Sequence, residues 1–176
     1  MSSQGPKLFR FPIPLPSLPS SAHVRAAGVY LAGALFSLGF WFFMDSAIYS
    51  RHYNYGSEIH VSFVDWIPGI CSIFGIIVIN SIDKARLSND ASFSYGGEGV
   101  AWRARLVLFM GFALLAGGFS GSIVVLTLKY IVPQYPWPTL YFGISNVIGN
   151  GMLMLSCVVL WISQNVEDEY SYTLAL

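Results

Sequence analysis

Four apolar runs dominate the pattern of hydrophobic and polar positions. They cover about residues 26–49, 61–82, 106–132 and 139–163, with polar or Pro- and Gly-rich segments between them. Each approaches or exceeds the ~20 residues that a helix rising 1.5 Å per residue needs to cross a hydrocarbon core. Strands that span a membrane are about half that length, and in lipid only helices and closed barrels satisfy their own backbone. The pattern therefore predicts an all-α polytopic membrane protein, a bundle of four transmembrane helices. The second run is the least regular, because Pro68 falls in its first third. Either its helix starts near Asp65 with Pro68 in the first turn, or it starts earlier and bends.

The segments outside the runs have characters of their own. Residues 1–24 form a Pro-rich tail whose "FRFPIPLPSLP" alternates prolines with large apolar residues. That alternation forbids a regular helix and favours an extended, polyproline-like path. The four-helix domain covers 25–163, and an acidic tail, "NVEDEYSYTLAL" from Asn165, lies within 164–176. The second connection, "SNDASFSYGGEGVAW", is rich in Ser and Gly and reads as a flexible loop. The third, "PQYPWP", is short and stiffened by proline, which makes spans three and four antiparallel neighbours.

Composition supports the membrane reading. The 176 residues are 55% hydrophobic and 10% charged, with mean hydropathy +0.59. A soluble domain carries about 25% charged residues, so this chain has too few to cover an aqueous surface. Net charge is zero, which gives no electrostatic reason to expect a nucleic-acid partner. Cys71 and Cys157 sit inside apolar runs and read as small buried hydrophobes.

Charge placement predicts an orientation. Lys7, Arg10, Arg25, Lys84, Arg86, Arg103 and Arg105 fall on one side of the four spans, and only Arg51 and Lys129 on the other. The positive-inside rule then places both termini in the cytosol. Tyr49, Tyr53, Trp66, Tyr130, Tyr135, Trp137 and Tyr141 collect at the opposite, lumenal interface.

Three groups of residues are candidates for a role. In the third span Ala113, Gly117 and Gly121 recur every four residues, and Gly118 with Ser122 makes a second row. Small residues at this spacing let helix backbones approach closely in lipid, either inside the bundle or against a separate protein. Asn80, Asn146 and Asn150, with Asp45 and Asp65, are polar residues inside or at the ends of spans. Amides in a membrane hydrogen-bond across helices, whereas a lined row of them also suits an ion path. Asp45, His52, Glu58, His60 and Asp65 gather toward the lumenal side, but their spacing fits no metal signature. With no nucleophile motif, phosphate-cradling loop or HExxH pair, neither an enzyme nor a cofactor is expected. Asp45 itself reads as a structural polar anchor near the lumenal interface, partnered by Arg51, Lys129 or an amide or hydroxyl of a neighbouring helix.

Five segments carry a resemblance: "GVYLAGALFSLGFWFFMDSAIYSR", "VDWIPGICS", "NSIDK", "WRARLVLFMGFALLAGGFSGSIVVL" and "LSCVVLWISQNVEDEYSY". Together they closely resemble the transmembrane protein 50 family, and within it the fungal branch of vacuolar protein sorting-associated protein 68 type. The resemblance extends from Gly28 to Tyr172. It implies a small tetraspanning protein of late endosome or vacuole, with Golgi and ER as further locations. It also implies a complex with a second four-helix membrane protein, of the vacuolar protein sorting 55 or leptin receptor overlapping transcript type. That complex is expected to support endosome-to-vacuole delivery alongside the ESCRT machinery. The family brings no catalytic residue. The expectation is a non-enzymatic sorting subunit whose partners are that protein and membrane lipids. The alternatives are a small ion-coupled transporter or channel component, and an accessory or assembly subunit of a larger secretory-pathway complex.

Overall fold

A computed structural model describes the backbone of residues 22–52, 59–82 and 97–171, and the side chains of 24–52, 59–82 and 102–163. The proline-rich path expected for the tail and the first part of the flexible second loop, up to Gly96, lie outside the described residues, whereas the end of that loop, from Gly97 to Trp102, is helical and opens α3. Four helices follow in order: α1 (Ala22–His52), α2 (Phe63–Asn80), α3 (Gly97–Val125), continued by a π-helical segment (Leu126–Ile131), and α4 (Thr139–Ser171). All four are long and apolar enough to cross a membrane, and no strand occurs among the described residues. The fold is an all-α, four-span membrane bundle.

The helix ends follow local chemistry. Arg51 and His52 close α1, where cationic and N–H-bearing side chains suit the negative end of the helix dipole. α2 begins before Asp65, with Ser62 as its N-cap and Pro68 well inside it. Proline has no N–H to donate, so the Val64 carbonyl loses its helical partner. Between the last two helices, Gln134 adopts a left-handed φ of 57° and its N–H donates to the Ile131 carbonyl at 2.9 Å. This left-handed residue helps reverse the chain. α4 runs on to Ser171, so the start of the acidic segment is helical.

In water a bundle closes because apolar side chains leave solvent. In lipid that drive is absent, and association rests on close packing and interhelical hydrogen bonds. The distribution of residues here follows that rule. Tyr30, Trp41, Phe63, Phe74, Phe109 and Leu128 point outward, while Ser72, Ser122, Ser145, Asn146, Asn150 and Ser156 are buried. Every buried side-chain nitrogen or oxygen among the described residues has a partner.

α1 packs along α4 and α2 along α3, each pair antiparallel, and α4 also contacts α2 and α3. The α1–α4 crossing is at Gly39 and Gly149, where a Cβ on Gly39 would stand 2.9 Å from the Gly149 carbonyl oxygen. Ser145 and Ser156 fasten the same pair, donating to the carbonyls of Phe42 at 2.7 Å and Ala32 at 2.8 Å. The α2–α3 pair closes on Gly75, Gly111 and Gly118. A Cβ on Gly118 would lie 2.6 Å from the Pro68 carbonyl oxygen and 2.9 Å from the Ser72 nitrogen.

Candidate functional site

The main concentration of polar contacts lies where the start of α2 meets the end of α3. Ser62 and Asp65 stand at the N-cap and third helical positions, the spacing of a capping box. The backbone N–H of Ser62 donates to Asp65 Oδ2 at 2.7 Å and its hydroxyl to the same oxygen at 3.0 Å. The carboxylate is thereby held at the positive end of the α2 dipole, where a negative charge is favoured.

Two consecutive residues complete the partners of that carboxylate. Lys129 Nζ forms an ion pair with Asp65 Oδ2 and donates to Ser62 Oγ at 3.0 Å and the His60 carbonyl at 3.2 Å. Tyr130, fully buried against Gly143 of α4, donates its hydroxyl to Asp65 Oδ1 at 3.2 Å. Both belong to the π-helical segment, whose wider turn shows in the Val132 N–H donating to the Thr127 carbonyl, five residues back. The two oxygens of one acid thus receive an ammonium and a phenol from neighbouring positions of one segment. π-helical turns recur at such special placements.

From Asp65 the network descends into the bundle. Asn146 Nδ2 donates to the Asp65 backbone carbonyl at 2.8 Å. Asn150 Nδ2 donates to Asn146 Oδ1 at 2.9 Å, and Asn150 Oδ1 accepts from the Ser72 hydroxyl at 2.7 Å. Asn150 and Ser72 are fully buried near the middle of their spans, the depth at which an unpaired amide costs most. The chain of bonds therefore joins α2, α3 and α4 from the end of the bundle to its centre. Beside it, Phe43, Ser46, Asp65, Trp66 and Asn146 line a void of about 10 Å³, room for about one water molecule.

The remaining sequence candidates lie elsewhere. Asp45 is exposed on α1, and its Oδ2 accepts from the Tyr141 hydroxyl at 2.6 Å. Of its expected partners, the hydroxyl of a neighbouring helix is the one observed, whereas Lys129 belongs to Asp65. Asn80 is exposed at the other end of α2 and donates to its own helix at the Ile76 carbonyl. The acid–histidine group expected on the lumenal side is dispersed: Asp45 and Asp65 have separate partners, His60 Nδ1 stands 3.0 Å from the Ser50 carbonyl oxygen, and Glu58 lies outside the described residues. Among the described residues no three His, Cys, Asp or Glu side chains come together as metal ligands do.

The two rows of small residues on α3 part company. Gly118 is buried against α2, Ser122 is fully buried and donates to the Phe119 carbonyl of its own helix, and Gly121 has ordinary contact with Pro68. Ala113 and Gly117 face outward from the chain, with open space beside Gly117. Sequence reasoning missed Ser62, Ser72 and Tyr130. The spacing Ser-x-x-Asp before an apolar run is a signal that marks Ser62. Nothing local marks Tyr130, whose inward placement depends on the π turn.

Comparison with known proteins completes the picture. The family model described as "Uncharacterised protein family (UPF0220)" matches residues 4–170. Vacuolar protein sorting-associated protein 68 of Saccharomyces cerevisiae is 54% identical over 180 aligned residues, covering 96% of each chain. UPF0220 protein C8D2.02c of Schizosaccharomyces pombe is 48% identical, also over 96% of each. The transmembrane protein 50 homolog of Dictyostelium discoideum is 24% identical over 80% of this chain and 91% of its own. No solved structure matches. With the family model spanning nearly all of its length, the chain belongs to the UPF0220 family, as the resemblance to transmembrane protein 50 and its vacuolar protein sorting-associated protein 68 type implied.

Proposed function

We propose that the chain is a non-enzymatic subunit of an endosomal membrane complex that supports protein sorting from late endosome to vacuole. The observation carrying this reading is the 54% identity, over 96% of both chains, to a relative named for vacuolar protein sorting. The geometry is compatible with a subunit that holds and presents helices. Its internal polar groups are spent on one another, and the void beside them takes about one water. A transporter needs a hydrated site near the midplane, between repeats that rock about it. At that depth this bundle has Asn150 and Ser72 bonded together and fully buried.

Within this reading the termini are cytosolic, and the partner is a second four-helix membrane protein of the vacuolar protein sorting 55 type. Two measurements test it. Expression of this chain in yeast lacking the 54%-identical relative should restore vacuolar delivery of a secretion-prone cargo. Affinity isolation in mild detergent should recover a small polytopic partner at a fixed ratio. Continued secretion of the cargo in the strain expressing this chain, or isolation of the chain alone, would overturn the reading.

A further inference from the structure

α1 and α2 follow one another in the chain, yet each packs along a different helix, α4 and α3 respectively. They meet through Phe43, which stacks on Trp66 with ring centroids 6.3 Å apart and lies beneath Gly69. At the carboxy end of α1 the segment leading into α2 is tied back to it, the Val61 N–H donating to Ser50 Oγ at 3.1 Å, and beside this tie lies an open cleft of about 370 Å³. That volume falls in the range of small-molecule sites, about 300–1,000 Å³.

The cleft has a graded wall. Met44, Ala47, Ile48, Val61 and Trp66 form its apolar part, and Arg51 and His52 line it in the last turn of α1. Met44, Ala47, Ile48 and Arg51 have the spacing i, i+3, i+4 and i+7, so they follow one stripe of α1. The stripe is about 10 Å long and runs along the span, parallel to the acyl chains of the surrounding bilayer. Arg51 and His52 are exposed, and among the described residues neither is paired with a carboxylate. Arg51 contributes a fixed positive charge and a planar set of N–H donors suited to phosphate oxygens. Trp66 stands near the start of its span, at the depth where aromatic rings meet headgroups.

We infer that this α1–α2 cleft holds one anionic phospholipid, its phosphate at Arg51 and His52 and the upper part of an acyl chain against Met44, Ile48 and Trp66. Charge complementarity selects the headgroup, and the apolar wall within a membrane span selects a lipid over a free phosphate. The inference does not depend on the sorting assignment.

The test uses the full chain in bilayer nanodiscs of phosphatidylcholine. They carry a trace of photoactivatable phosphatidylglycerol or of phosphatidylcholine with the same diazirine-bearing chain. Mapping by mass spectrometry should place the phosphatidylglycerol adducts on Met44, Ile48 or Trp66, at up to about five times the yield of the phosphatidylcholine probe, the preference that one exposed ion pair supplies. Arg51→Gln with His52→Gln, at two exposed positions, should abolish the preference while the protein elutes unchanged. Ala47→Trp, which fills the cleft, should lower adducts from both probes. Equal yields from the two probes would mean an arginine that merely reaches for water, and would overturn the proposal. Adducts concentrated on other helices would do the same, as would a protein–protein adduct in place of lipid at these positions.

Discussion

Asp65 shows how one residue is made tolerable at a membrane boundary. Its side chain is 6% exposed and answered from three directions, by the N-cap Ser62, by Lys129 and by Tyr130. Removing one member of a buried pair costs more than removing both, because the survivor stays desolvated. Lys129→Met should therefore destabilise the bundle by about 3 kcal/mol, the low end for a buried pair since Lys129 remains partly exposed. Adding Asp65→Asn should recover part of that loss, read as the thermal midpoint in detergent; a double variant less stable than Lys129→Met would refute the account. Asp45 is a contrasting case, an exposed carboxylate with one phenolic donor. Asp45→Asn keeps an acceptor for Tyr141, so abundance and cargo sorting should both remain normal. Lost sorting at normal abundance would show that the charge itself is required. Both acids were legible in the sequence as polar residues near one interface. The kinds of partner were legible too, a neighbouring hydroxyl and Lys129, but not which acid each serves, because Lys129 and Tyr141 lie far along the chain and only the packing of α3 and α4 assigns them.

At the scale of the helix, length and apolarity were enough to place four spans, since each constraint is local to its own segment. Which face of a helix turns inward was harder to read. α3 is apolar all round, so no stripe distinguishes bundle from lipid. A small residue every four positions marks both Ala113, Gly117 and Gly121 and the row of Gly118 and Ser122, yet the buried face carries only the second row, extended by Gly111 and Leu115 at a spacing of four, three and four. That alternation is what two helices crossing at a shallow angle present to one another. The distinction is measurable. Gly118→Leu would drive a side chain into the Pro68 carbonyl and the Ser72 nitrogen, and should cost upward of about 3 kcal/mol or abolish accumulation. Gly117→Leu meets open space and should leave thermal stability within about 0.5 kcal/mol. Equal damage from both would mean that α3 is rotated from the orientation described.

For the whole molecule, four spans require both termini on one side of the membrane, while the choice of side depends on charge bias alone. The packing does not discriminate, because a bundle held by Gly39–Gly149, Gly118 and the Asp65–Lys129 pair is equally stable with either face toward the cytosol. What discriminates is the cost of translocating seven basic residues instead of two, imposed during insertion and invisible in the finished fold. The termini and the loop near Ser92 are therefore predicted to be cytosolic, with Asn54 lumenal. The two native cysteines permit a clean experiment. Cys157 is buried beside Ile79 and Leu115 and Cys71 is partly buried in α2, so Cys71→Ala and Cys157→Ala should yield a folded, unlabelled background. In that background Ser92→Cys should react in intact endosomes with a maleimide too large and polar to cross the membrane. Asn54→Cys should react only after the membrane is permeabilised. The reverse pattern would invert the molecule, leaving the fold as described and placing Arg51, His52 and the α1–α2 cleft in the cytosolic leaflet.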